Sequence, residues 1–178
     1  MKWLSTVFGG RKKMAALSAG TQAPAFELPA MDGSKFSLQN ALSRGPVLAI
    51  IFKISCPTCQ YALPYFERLY KVYGGKQVTI VGVSQNEKRD TAQFIKNYGI
   101  TFPVLLDDTK TFPVSNAYGL TNVPTSFWIS EDGTIEVFSV GWVRQEFDEM
   151  AQKAASATGD TPKPVFQGTE QIADFRAG

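Results

Sequence analysis

Apolar and polar positions alternate along this chain in a way that separates short strands from longer helical stretches. Residues 47–54 read VLAIIFKI, interrupted only by Lys53, which is the near-continuous apolar run of a strand covered on both faces. Residues 59–73 then place apolar or aromatic side chains at Tyr61, Leu63, Tyr65, Phe66, Leu69 and Tyr73, a pattern that predicts a helix with a broad buried face. Pro64 lies inside that helix and predicts a bend, and Gly74 with Gly75 supplies the stop. A second buried strand is expected over 77–84 through Val78, Ile80, Val81 and Val83. It is followed by a helix over 87–98 that turns Phe94 and Ile95 inward and ends at Gly99.

Upstream, segments 26–28 and 35–38 flank the turn chemistry of Met31-Asp32-Gly33-Ser34 and predict a hairpin, with a helical turn or loop over 40–44. Downstream, a strand is expected over 101–106 and a short helical segment over 114–118. An antiparallel hairpin follows over 125–130 and 135–140 around Glu131-Asp132-Gly133-Thr134, and an Ala-rich helix closes the series over 145–157. Hairpin, βαβα, strand, helical insertion, hairpin and helix together predict an α/β domain of three layers, with a central mixed sheet and helices on both faces.

The 178 residues, 44% of them hydrophobic, support one substantial core and one domain. That domain is placed at 20–157, with an N-terminal extension at 1–19 and an extended C-terminal tail at 158–178 whose Val165, Phe166, Ile172 and Phe175 can pack back on the body. In the extension, Trp3, Leu4, Val7 and Phe8 offer one face of a short amphipathic helix. The apolar run there is shorter than a secretory core and is broken by Arg11, Lys12 and Lys13, and no stretch approaches the roughly 20 apolar residues of a membrane span. The expectation is therefore a chain without a transmembrane segment, placed in the cytoplasm, with the periplasm or a membrane surface as alternatives.

A formal charge of +2, from 18 basic and 16 acidic residues, gives no reason to expect a nucleic-acid partner. The absence of histidine removes imidazole catalysis and Cys/His zinc sites, and two cysteines are too few for a closed zinc site in one chain, so neither metal nor bound cofactor is expected. No G-x-G-x-x-G or Walker A pattern is present. What remains is Cys56-Pro57-Thr58-Cys59, set where the apolar strand gives way to the helix. A thiol at a helix N-terminus meets unsatisfied amides and the positive end of the macrodipole, both of which favour a thiolate, and a second thiol one turn inward can close the disulfide. A purely structural disulfide across so short a loop would remove little chain entropy, so redox chemistry is the better account. Pro57 suits an initial helical position, Thr58 can hydrogen-bond locally or alter the energy of the thiolate, and Lys53 is a nearby charge that favours the thiolate if it points at the sulfur.

These residues, together with Ala23-Pro24-Ala25-Phe26, Asp32-Gly33, Pro64 and Asn122-Val123-Pro124-Thr125, resemble the redoxin branch of the thioredoxin-like superfamily over most of residues 20–157. That branch includes cytochrome-maturation thiol-disulfide oxidoreductases and peroxiredoxins. The resemblance implies a thioredoxin-like fold, Cys56 as exposed nucleophile, Cys59 as resolving thiol, and Pro124 as a cis residue whose neighbours Val123 and Thr125 bind substrate backbone. Ser55 stands where many dithiol relatives carry tryptophan, Ile50 and Ala62 where relatives carry acids, and Lys53 where peroxiredoxins carry threonine. The main expectation is a thiol-disulfide oxidoreductase acting on protein dithiols or disulfides through a mixed disulfide, with a thioredoxin-type reductant among its candidate partners and a monomeric or weakly dimeric state. A thiol-dependent peroxidase and a noncatalytic redox-sensing module are the alternatives.

Overall fold

The computed structural model describes residues 16–178, so the amphipathic segment expected around Trp3, Leu4, Val7 and Phe8 lies outside the described residues. The first hairpin pairs β1 (Glu27–Pro29) with β2 (Lys35–Ser37) as a separate two-stranded sheet, and α1 (Leu38–Leu42) follows, capped by the Ser37 side chain. The central strand β3 (Val47–Phe52) is buried along its whole length. Parallel pairing joins it to β4 (Thr79–Ser84) and β4 to β5 (Val104–Leu106), while β6 (Thr125–Ile129) and β7 (Ile135–Val140) complete the sheet antiparallel, in the order β5-β4-β3-β6-β7. The result is the expected thioredoxin-like α/β arrangement with a central mixed sheet and an N-terminal hairpin.

The period-2 geometry of β3 divides the core. Leu48, Ile50 and Phe52 pack in a layer with residues of α2 (Pro57–Tyr73), α3 (Lys88–Asn97) and α5 (Arg144–Thr158). Val47, Ala49 and Ile51 pack in the opposite layer with α1, the first hairpin and α4 (Pro113–Ala117). Helices on both faces are what allow β3 to be apolar at every position.

Two details depart from the periodicity. The fifth strand begins at Val104 and not at Thr101, because the Thr101 and Phe102 amides donate to the buried Glu67 carboxylate of α2 at 2.8 and 3.3 Å, and Pro103 has no amide to give. A third small sheet also appears: β8 (Trp142–Val143) pairs antiparallel with β9 (Phe175–Arg176), fastening the last residues to the body. Val165, Phe166 and Ile172 pack against the helical layer, whereas Phe175 is 63% exposed because it faces away from the body on β9. The helix α2 continues through Pro64.

Candidate active site

The loop between β3 and α2 is held through backbone groups of Ile54 and Cys56. The Ile54 amide donates to Asn86 Oδ1 at 2.9 Å, the Ile54 carbonyl accepts from Gln60 Nε2 at 2.9 Å, and the Cys56 amide donates to the Lys53 carbonyl at 3.2 Å. Cys56 is the N-cap of α2 in extended conformation, and Pro57 occupies the first turn, where its missing amide costs no hydrogen bond. The Cys59 amide donates to Cys56 Sγ at 3.2 Å, so the sulfur takes the place that a serine or aspartate oxygen takes in an ordinary cap. The Cys56 thiol in turn donates to the Val123 carbonyl at 3.2 Å. The Val123-Pro124 bond is cis.

The two thiols are free and differ in access: Cys56 is half-buried, Cys59 is 0% exposed. Burial pushes the Cys59 thiol well above its ordinary range, because removing water penalises the thiolate, and its neighbour Cys56 adds to the effect. One sulfur therefore sits at a helix entrance within reach of a partner, and the other waits protonated one turn inside.

The remaining expected residues fall around this pair in different ways. Thr58 is buried and its hydroxyl donates to the carbonyl of Ala177, 119 positions away, not to a local group. Thr125 is 0% exposed and its hydroxyl donates to the Asn122 carbonyl at 2.7 Å, bracing the loop that carries Val123. Lys53 contributes its backbone carbonyl to the loop, while its side chain is exposed and, among the described residues, makes no hydrogen bond or ion pair. Ile50 and Ala62, at the places of the missing acids, are 0% exposed and part of the apolar layer under Cys59. Among the described residues no cluster of three or more metal-ligating side chains occurs.

Sequence reasoning missed Asn86 and Gln60, whose amide side chains hold the loop, and the close approach of residues 173–178. Asn122 Nδ2 donates to the Gly178 carbonyl at 3.1 Å, Tyr61 Oη accepts from the Ala173 amide at 3.0 Å, and the Arg176 guanidinium lies 4.4 Å from the centre of the Tyr61 ring. The only sequence signal for that approach was the scatter of apolar residues in the tail.

The family model described as the AhpC/TSA family matches residues 19–138. The thiol-disulfide oxidoreductase ResA of Halalkalibacterium halodurans is 34% identical over 136 residues, which cover 75% of this chain and 76% of that protein. The thioredoxin-like protein YneN of Bacillus subtilis is 32% identical over 146 residues, covering 80% and 82%. Among solved structures, a putative thiol:disulfide interchange protein DsbE from Chlorobium tepidum superposes with a TM-score of 0.70 at 25% identity, over 81% of this chain and 100% of that one.

Proposed function

The chain belongs to the AhpC/TSA family and carries a cysteine pair of the thiol-disulfide redox type in a thioredoxin-like fold; from that premise we propose that it exchanges Cys56 and Cys59 with the disulfides or dithiols of partner proteins. The observation that carries this reading is the asymmetry of the pair: one sulfur capping α2 at the surface, the other fully buried one turn away.

In the reducing direction, the Cys56 thiolate attacks one sulfur of a partner disulfide, forming a mixed disulfide and releasing the partner's other sulfur as a thiolate. Cys59 then gives up its proton and attacks the Cys56 sulfur. The Cys56–Cys59 disulfide forms, the second partner thiolate leaves, and two electrons have passed to the partner, whose two thiolates take up two protons. In that direction a thioredoxin-type dithiol would return the pair to its reduced form; the same steps reversed oxidise a partner dithiol and leave the pair reduced, to be reoxidised by a second disulfide. The amide of Cys59 offers Cys56 Sγ a hydrogen bond, and the fixed loop holds the sulfur at the helix entrance during attack.

The test is reduction of insulin disulfides by the reduced protein. The parent is expected to turn over with an external dithiol, Cys56→Ser to lose all turnover, and Cys59→Ser to accumulate a mixed disulfide visible on a nonreducing gel. Unchanged activity in Cys56→Ser overturns the reading. The family match also favours a second reading, thiol-dependent peroxide reduction, in which the Cys56 thiolate takes one peroxide oxygen, releases water or an alcohol, and condenses with Cys59 to disulfide and water. Rapid mixing with hydrogen peroxide separates the two: sulfenate formation no faster than that of a free thiol leaves protein exchange alone.

A further inference from the structure

Residues 171–178 reach the motif at Thr58 and the loop that faces it at Asn122 and Val123. The Ala177 carbonyl accepts the Thr58 hydroxyl, and the Gly178 carbonyl accepts from Asn122. Gly178 also packs so closely on Val123 that a methyl group on its Cα would come within 2.6 Å of the Val123 carbonyl oxygen, the same oxygen that receives the Cys56 thiol proton. Gly141 has a positive φ of 77°, and a methyl group there would lie 2.4 Å from the Arg176 carbonyl. Both close approaches need glycine, and both concern the tail backbone.

The manner of attachment is that of a peptide strand added to an edge. β9 pairs antiparallel with β8 in the register Trp142↔Arg176 and Val143↔Phe175, and the Arg144 amide donates to the Asp174 carbonyl at 2.9 Å. Side chains of the body take backbone groups of the tail: Trp142 Nε1 donates to the Ala173 carbonyl at 2.7 Å, and the Ala173 amide donates to Tyr61 Oη. Recognition through main-chain groups along an open edge is how a protein receives an extended segment with little regard to sequence.

We propose that residues 171–178 gate the dithiol: they lie as an intramolecular strand in the place that an extended segment of a protein partner would take beside Cys56, and they undock before a protein disulfide reaches the sulfur. This rests on the exchange reading above. The gate discriminates by size. A small disulfide approaches the half-buried Cys56 sulfur without the β8 edge, whereas a polypeptide needs that edge and the Asn122-Val123 loop, both held by the tail. If the docked form is nine-tenths of the population, a polypeptide partner sees an affinity weakened about tenfold.

The test compares the 178-residue parent with two variants of the same length. Ala173→Pro/Arg176→Pro removes the amide given to Tyr61 and the stacking on its ring and breaks the β8 pairing; Arg68→Ala removes the tie to Glu170 far from the sulfur. Each reduced protein is mixed with a small aromatic disulfide and, separately, with insulin, after circular dichroism shows native fold. Expected is an insulin rate raised up to about tenfold in the proline variant and less in Arg68→Ala, with the small-disulfide rate changed by less than about twofold. A synthetic peptide of residues 170–178 should slow the proline variant on insulin. Equal insulin rates in all three proteins, with the small disulfide still reduced, overturn the gate and leave exchange standing. Loss of both rates in the variants overturns it too, since the tail would then support the site. A parent that reduces neither probe removes exchange and gate together.

Discussion

Residues 53–59 and residues 171–178 meet around Cys56, yet they are held in different ways. The motif loop is fixed by elements the fold brings together regardless of the tail: the start of α2, the end of β4 through Asn86, and the cis-proline loop before β6. The tail is held by its short pairing with β8, by scattered side chains of the body that reach its backbone, and by an aromatic nest around Trp142 that takes Arg176 on Tyr61 and, just upstream, Phe166 at 5.4 Å from Tyr65 and 5.3 Å from Phe147. A loop gripped by topology stays in place as long as the domain is folded, while a strap gripped by separable contacts can leave as a unit.

The sharpest way to break that comparison is at Trp142, a large core residue that also takes part in the tail's attachment. It is 1% exposed, and Trp142→Ala removes the centre of the nest and the bond to the Ala173 carbonyl. Loss of unfolding free energy of about 3–5 kcal/mol is expected in a guanidinium titration. Trp142→Phe keeps most of the ring packing and loses the N–H donor, at about 0.5–1.5 kcal/mol. If both variants cost the same, the hydrogen bond and not the packing holds the tail.

The smaller test lies in the loop. Asn86→Ala leaves the partly buried Ile54 amide without its acceptor, at about 1–3 kcal/mol, and frees the stretch leading to Cys56. Exchange with the small disulfide should fall along with exchange with insulin, since the sulfur itself loses its placement. That is opposite to the tail variants, in which only the protein substrate responds. A tail-like pattern in Asn86→Ala would mean that the loop is not held independently.

The sequence and the structure agree most closely where information is local. The alternation of β3 with α2, the cap-and-proline start at Cys56-Pro57 and the turn at Asp32-Gly33 are each written within a few neighbouring residues, and each is found in its expected place. Glu67 was illegible because nothing in a helical pattern distinguishes a buried acid from a solvated one; only the amides of Thr101 and Phe102, more than thirty positions away, explain it. Thr58 was read as a local hydrogen-bonder for the same reason, since its partner at Ala177 is fixed by tertiary packing and not by spacing. The strand β9 was invisible because two residues carry no periodicity, and Phe175, apolar by type, turned out to face solvent.

The smallest expected effect concerns the far end of the strap, where Arg68 Nη1 and Nη2 hold the two oxygens of Glu170 at 2.8 and 2.7 Å and Arg68 also lies over the Tyr65 ring. The guanidinium and the Gln167 amide lower the Glu170 carboxyl to about 2. An ordinary glutamate in an unfolded chain titrates near 4.3, so the folded group is the more acidic one. Its contribution is complete above about 4.3 and is lost as pH falls from there through about 2, because only then does the docked carboxylate take up its proton. The tail should therefore loosen in acid before the sheet does. Limited proteolysis after residue 160 by an acid-active protease, followed between pH 5 and 2, should show cleavage rising as pH falls in the parent. In Glu170→Gln cleavage should be faster at the upper end and nearly flat across the range. Because both side chains are partly exposed, at 35% and 22%, added salt should shift the parent modestly toward the variant. A parent whose cleavage ignores pH would place the strap's grip in the aromatic nest alone, and would leave Arg68→Ala without effect on insulin reduction while the proline variant kept its own.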